Sequence, residues 1–470
     1  MTTTVNRAGV PPQPLHSWPR TTAPAAPGPA GGAQAWRNLR RFARNAPMLF
    51  QELRQTYGDT VRLPLGCFTV HLPFAPDDIS YVLQEGNRNF VRGKGYDFFR
   101  IFMGTGLLTT DGEEWKTRRR IVNPLFHHRA VEAMCATMVS ATRRVLDRWE
   151  RENSGGTLDV VPQAMHITLD ALGSVMFDRD LENDHDRVGP AMDRAIEAMV
   201  FRGEPRQLLP SGTPFGYQRR IRGARAELHD LVADIVTAHR RGSQAGRVDL
   251  VSLLLAAQDE DAGTLSDDDV RDELMTIFMA GHETIGTGLA WVLAELARHP
   301  DIQEAGHAEV ERVLTGREPT LADLPTLGYV RQIVDETLRL HPPIWVFPRD
   351  AVADDVIGGH RVPAGESVFL CPYVTHRHPD LWAAPHTFDP DRFAPGRIAR
   401  LPKFAYFPFG GGQRKCIGSA IALQQSYLST AMILQRFVLR PAPDLRLDLG
   451  TLVSLRPLSG LPLRVDRRTP

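Results

Sequence analysis

The chain has 470 residues, 42% of them hydrophobic, with 55 Lys and Arg balanced by 55 Asp and Glu. That length suits one large enzyme fold or two to three domains, and a formal charge of zero lacks the basic excess of a nucleic-acid binder. Cys67, Cys135, Cys371 and Cys416 lie too far apart for a disulfide scaffold, so each is expected as a core filler or a ligand in a reducing compartment.

Residues 1–35 are rich in Pro, Ala and Gly and are expected to be a disordered tail. No basic start precedes an apolar stretch, and no run of about 20 apolar residues occurs. A cytoplasmic protein without a secretory signal or membrane anchor is expected. Residues 36–470 show no break in composition and read as one domain. Val61–Leu72 reads as two short strands turning at Gly66. Helical patterns follow at Arg129–Arg151, Pro162–Phe177, Tyr217–Arg241, Ser266–Arg298, Thr326–Leu340 and Ala420–Phe437. Strand-like pieces come late, at Ile344–Phe347, Ser367–Cys371, Phe437–Pro441 and Thr451–Val465. Arg202–Phe215 and Thr387–Phe409 look irregular. The fold class is mainly α with small β-sheets, an α+β arrangement.

Ser266 followed by Asp267, Asp268 and Asp269 makes an N-cap with acidic residues at the positive end of a helix. Arg298-His299-Pro300 ends it. The centre is apolar on every face, so this helix should cross the domain buried. It is interrupted by polar residues and glycines at Gly281-His282-Glu283-Thr284, Gly286 and Gly288. Gly281, Thr284 and Gly288 share one stripe, against which a planar ligand could lie with the Thr284 hydroxyl beside it. Alternatively Thr284 bonds its own i−4 carbonyl.

The strongest local signal is Phe409-Gly410-Gly411-Gly412-Gln413-Arg414-Lys415-Cys416-Ile417-Gly418. Three consecutive glycines imply tight turns or close approach. A cysteine just before a helix start feels partial positive charge, which favours thiolate. This is either a thiolate held against a large flat group with Arg414 near an anion, or a buried free cysteine beside a glycine-rich turn. Glu336 and Arg339 at i, i+3 read, taken alone, as a surface pair. Trp115 and Arg119 lie at i, i+4 beside the basic run Arg118–Arg120.

Phe409, Gly412, Arg414, Cys416 and Gly418 match the spacing of one loop, and Ala422 fits six residues beyond the cysteine. The segment resembles the cysteine-ligand loop of the cytochrome P450 family. Ala280–Thr284, the Glu336/Arg339 helix with Arg392 downstream, and Trp115/Arg119 resemble three further family motifs in the same order. The resemblance covers about Trp36 to Val465 and is to soluble bacterial members. It implies haem b between the long helix and the cysteine loop, with Cys416 as axial thiolate and Phe409 and Gly281 against the ring. Trp115, Arg119, Arg349 and Arg414 would bind its propionates. Thr284 and Glu283 would be the acid–alcohol pair that delivers protons during O2 activation, and Glu336, Arg339 and Arg392 a buried triad supporting the loop.

The implied activity is monooxygenation of an apolar small molecule of terpenoid, polyketide or fatty-acyl type in bacterial natural-product biosynthesis, by hydroxylation or epoxidation. The pocket walls would include Phe98, Phe99, Phe102, Phe201, Ile344, Trp345 and Val453. Electrons are expected from an external ferredoxin or flavodoxin with its NAD(P)H-dependent reductase, docking near Lys415, Arg118 and Arg120, and the protein is expected to be a monomer. The alternatives are a peroxide-driven peroxygenase, an enzyme of oxidative cyclisation or coupling, and a non-catalytic haem protein that binds a ligand.

Overall fold

The structure, a computed structural model, describes residues 22–152, 155–177, 191, 194, 216–241, 249–260, 265–451 and 453–468. Phe201 and the segment Arg202–Phe215 lie outside the described residues, as does the side chain of Phe98.

The helix Asp267–Arg298 runs through the core and packs against the helices Val160–Phe177 and Ser419–Arg436. Its start is set locally. Ser266 Oγ accepts the Asp269 amide at 3.1 Å, and the Asp269 carboxylate accepts the Ser266 amide at 2.8 Å. This reciprocal box satisfies two otherwise unpaired donors. Leu274, Met275, Leu289, Ala290, Trp291 and Leu293 are fully buried, as the all-round apolar pattern demands. Gly286 has a packing role, since a Cβ there would meet Met165 Sδ at 2.4 Å.

Other helices follow the predicted segments with small shifts, including Gly216–Arg241, Gly328–Leu340 and Ser419–Arg436. The predicted helix Arg129–Arg151 is two helices, His128–Ala133 and Cys135–Glu152, divided at Met134.

The first helix, Ala33–Tyr57, has no counterpart in the sequence reading. It bends at Asn45 (φ −159°, ψ 82°), just before Pro47. Proline lacks an amide hydrogen and so breaks the ladder. Asn45 Oδ1 accepts the Met48 amide at 3.1 Å and caps the second half. The tail expected through residue 35 is also too long. Pro24 and Pro27 carbonyls accept the amides of Arg361 (2.9 Å) and Arg62 (2.8 Å), so residues 24–28 lie against the body. An extended Pro-rich segment still offers carbonyls to strand edges, which its composition does not reveal.

The main sheet has the order Thr60–Leu65, Phe68–Pro73, Ser367–Leu370, Phe347–Ala351, Phe90–Val91. Only the Phe68–Pro73/Ser367–Leu370 pairing is parallel. The strand expected at Ile344–Phe347 begins instead at Phe347, leaving Ile344–Val346 outside the ladder. Thr157–Asp159, Pro462–Arg467 and Phe437–Pro441 form a second sheet, and Leu449–Thr451 pairs with Leu455–Pro457 in a hairpin.

Candidate active site

A cavity of about 490 Å³ separates the long helix from the loop carrying Cys416. Ala280, Gly281, Glu283, Thr284 and Gly288 line one side, and Phe409–Gly411 with Arg414–Gly418 line the other. Phe42, Ala43 and Ala46 of the bent first helix complete the wall near Trp345 and Val453.

The Cys416 loop is shaped by its own packing. Cys416 donates its amide to Phe409 O at 3.0 Å, closing the loop. Gly410 and Gly412 have φ of +66° and +64°, which favours glycine. A Cβ on Gly412 would lie 1.8 Å from Leu83 O, and one on Gly411 2.2 Å from the Phe404 ring. The triplet is therefore explained by turns and contacts within the protein. Gly418 differs, because a Cβ there meets only Phe126 at 3.8 Å. Burial pushes the Cys416 thiol above its ordinary range, opposed by the Gly418 amide and by Arg119, Lys415 and Arg92. Even so, the residue is open to the cavity.

Across the cavity, Thr284 Oγ1 donates to Ala280 O at 2.7 Å. Its proton is engaged along the helix, so its lone pairs remain to accept from the cavity. The stripe of glycines is less open than its spacing suggests. A Cβ on Gly281 would meet Leu172 at 3.1 Å, and one on Gly288 would meet Pro343 at 3.5 Å. Glu283 is buried, with Oε1 accepting the Ser454 hydroxyl at 2.6 Å.

One end of the cavity is strongly cationic. The Arg414 guanidinium stacks 4.2 Å from the Trp115 ring centroid and pairs with Asp111. Arg119 Nη1 donates to Lys415 O at 3.2 Å. Arg349 Nη1 donates to Tyr96 Oη at 3.3 Å, and Arg92 lies 4.8 Å over the same ring. Burial, with Arg349 and Arg414 nearby, pulls the Arg92 guanidinium down to about 10. Burial raises the Tyr96 hydroxyl, but Arg92, Arg349 and Arg414 bring it below its ordinary value. Sequence reasoning missed Arg92 and Tyr96, which carry no spacing signal of their own.

This chemistry fits the haem that the sequence resemblance implies. Arg92, Arg119, Arg349, Arg414 and Lys415 face a cavity whose carboxylate lining is Glu283 alone among the described residues. Such an excess of positive charge suits two carboxylates of a ligand. The loop before Asp111 is tied to both walls. Leu107 donates its amide to the Glu273 carboxylate (3.0 and 3.2 Å), and its carbonyl accepts from Arg414 at 3.4 Å.

Arg339 and Glu336 form a fully buried bidentate pair, both contacts at 2.7 Å. Arg392 Nε lies 3.4 Å from Glu336. The link to the cysteine loop runs through His376, which the sequence did not single out. Its Nδ1 donates to Arg339 O at 3.2 Å, and its Nε2 accepts the Phe407 amide at 2.9 Å. Those partners require the neutral δ-protonated ring, consistent with burial and Arg339 holding its pKa well below 6.5.

Two expectations are corrected. Arg118 is buried, paired with Asp269 (2.5 Å), Glu114 (3.0 Å) and Glu273 (3.6 Å), so it cannot belong to a surface patch with the exposed Arg120 and Lys415. Phe102 packs into the core and is absent from the cavity wall, whereas Phe99, one turn earlier, reaches it. Ile344, Trp345 and Val453 line the cavity as expected.

The sequence matches the cytochrome P450 family profile over residues 25–457. It is 33% identical to cyclooctatin synthase of Streptomyces melanosporofaciens over 95% of both chains. It is 30% identical to pentalenene oxygenase of Streptomyces avermitilis, over 97% of this chain and 99% of that one. The crystal structure of the cytochrome P450DA heme domain superposes with a TM-score of 0.83 at 29% identity, covering 95% of this chain and 98% of that one. No helix among the described residues is long and apolar enough to cross a membrane. The chain belongs to the cytochrome P450 family, as a haem b monooxygenase that uses O2, a small-molecule substrate and a redox partner.

Proposed function

We propose that Cys416 is the thiolate ligand of the haem iron and that Trp115, Arg119, Arg349 and Arg414, joined by Arg92, hold the propionates. In this reading the substrate is an apolar, terpenoid-type molecule, which is hydroxylated or epoxidised. The observation that carries the assignment is the Cys416 thiol opening into a cavity whose opposite wall bears Thr284. Bound haem supplies the activation of O2 and the transfer of one oxygen atom, with the thiolate favouring O–O cleavage.

The residues of the chain position and protonate. Phe409 and Gly281 border the ring space from opposite walls. The triad Glu336, Arg339 and Arg392 steadies the Cys416 loop through His376. Thr284, whose hydroxyl donates its hydrogen bond to Ala280 O, accepts a hydrogen bond from a donor in the cavity, and Glu283 supplies protons from its buried carboxyl group. Phe99, Ile344, Trp345 and Val453 present an apolar surface that excludes water and orients a hydrocarbon. Relatives named for pentalenene and for cyclooctat-9-en-7-ol, an alkene and an alkenol by their names, support an uncharged cyclic substrate.

Electrons would come from an external ferredoxin or flavodoxin and its NAD(P)H-dependent reductase. Exposed Lys415, next to Cys416, and Arg120 would offer it positive charge, and the protein would act as a cytoplasmic monomer. Having both Glu283 and Thr284 favours reductase-driven turnover over a peroxide-driven cycle. Cys416→Ser is expected to abolish the long-wavelength absorption band of the reduced CO complex, and an unchanged band would refute the ligand assignment. Candidate cyclic hydrocarbons are expected to shift the Soret band, and NADPH with a reductase to yield oxygenated product.

A further inference from the structure

The carboxylate of Glu283 is anchored outside its own helix. Its Oε1 accepts the Ser454 hydroxyl at 2.6 Å and the Thr287 hydroxyl at 3.5 Å, and lies 3.8 Å from Arg456 Nη1. Ser454 and Arg456 flank Leu455, whose backbone is pinned on both sides. The Leu455 amide donates to Pro343 O at 2.8 Å, and its carbonyl accepts Trp291 Nε1 at 2.7 Å. Ser454 is fully buried and has little freedom to turn away. The Arg456 side chain is 21% exposed against 6% for Glu283, so solvent lies on the arginine side of the pair. Val453, the residue before Ser454, lines the cavity, as does Glu283 itself.

We propose that Ser454 and Arg456 are positioning residues for Glu283, and that protons enter from solvent past Arg456 at the Leu449–Pro457 hairpin. The inference rests on the reading of Glu283 as a proton donor. Glu283 releases a proton toward the cavity, and the carboxylate regains one from solvent water, so the step needs no oxidant or reductant. The Ser454 hydroxyl fixes one oxygen by a charge-assisted hydrogen bond, and the Arg456 cation favours the ionised form between transfers. Because Val453 and Ser454 are adjacent, a substrate pressing on Val453 bears on the same short, pinned segment that holds the carboxylate.

The test uses the holoenzyme with Ser454→Ala, Arg456→Met, Arg456→Lys, Glu283→Gln, and Arg456→Met combined with Glu283→Gln. Product formed per electron consumed and the solvent deuterium isotope effect are measured for each. Infrared titration follows the protonated-carboxyl band that Glu283→Gln removes. Arg456→Met is expected to lower product per electron several-fold, enlarge the isotope effect and raise the proton affinity of Glu283 about tenfold or more. Arg456→Lys restores most of the parent behaviour, and Ser454→Ala shows a smaller loss. On the Glu283→Gln background Arg456→Met adds nothing, because both act through one carboxyl group.

Multiplying losses in the double variant, or an unmoved infrared band in Arg456→Met, would overturn the proposal. Parent-like Ser454→Ala and Arg456→Met beside an impaired Glu283→Gln would also overturn it, while leaving the role of Glu283 intact. A parent-like Glu283→Gln removes the proton-donor reading, and the positioning roles with it. The reduced-CO band of each variant separates these outcomes from misfolding.

Discussion

Glu273 is a carboxylate whose burial outweighs its partners, and Glu273→Gln measures that imbalance. It is 2% exposed, accepts the Leu107 amide and lies 3.6 Å from Arg118 Nη1. At an effective dielectric of about 20, that cation contributes about 4–5 kcal/mol. Burial nonetheless pushes the carboxyl from 4.5 to about 7. Glu273 therefore holds its proton more tightly folded than unfolded. The associated stability is full below pH 4.5, falls as the pH rises and is gone above 7. The span corresponds to about 3 kcal/mol.

Gln keeps an acceptor for Leu107 and removes the charge, while Arg118 retains Asp269 and Glu114. The variant should match the parent near pH 4 and be more stable by about 3 kcal/mol near pH 8.5, read as urea midpoints across pH. A loss of several kcal/mol at pH 8.5 would show that the Arg118 ion pair dominates and refute the reasoning.

Thr284→Ala should keep haem and substrate spectra but divert electrons to peroxide, lowering product per NADPH about tenfold or more. Gly412→Ala places a Cβ against Leu83 O at positive φ and should cost the protein its haem on purification. Gly418→Ala, with only Phe126 in reach, should leave the thermal midpoint unchanged. His376→Phe removes two buried hydrogen bonds and should cost about 2–4 kcal/mol, seen as a lower thermal midpoint and a reduced-CO spectrum losing its thiolate band.

Where local chemistry decides the outcome, the sequence was readable. Ser266 and Asp269 fixed the start of the long helix because the cap is made by those two residues themselves. The Cys416 loop was found because the cysteine and its glycine turns sit within ten residues. The first helix escaped because Pro47 reads as a breaker, while Asn45 repairs the break by a side-chain bond that composition does not show. Arg118 looked solvated because its acidic partners Asp269 and Glu273 lie about 150 positions away. Phe102 and Phe99 are equally apolar, and only the packing of their short helix sends one to the core. His376, Arg92 and Ser454 are single polar residues whose partners come from distant segments, so no spacing rule marks them.

Leu107 is bonded through its amide to the helix above the cavity and through its carbonyl to the loop below it. One peptide segment therefore acts as a spacer gauge between the two walls. Lengthening or shortening the Gly104–Thr110 stretch, which also carries Leu107 and Leu108 to the cavity wall, would alter the clearance between the two walls. The admissible thickness of a guest is thus encoded in the length of this loop as well as in the residues that face the guest.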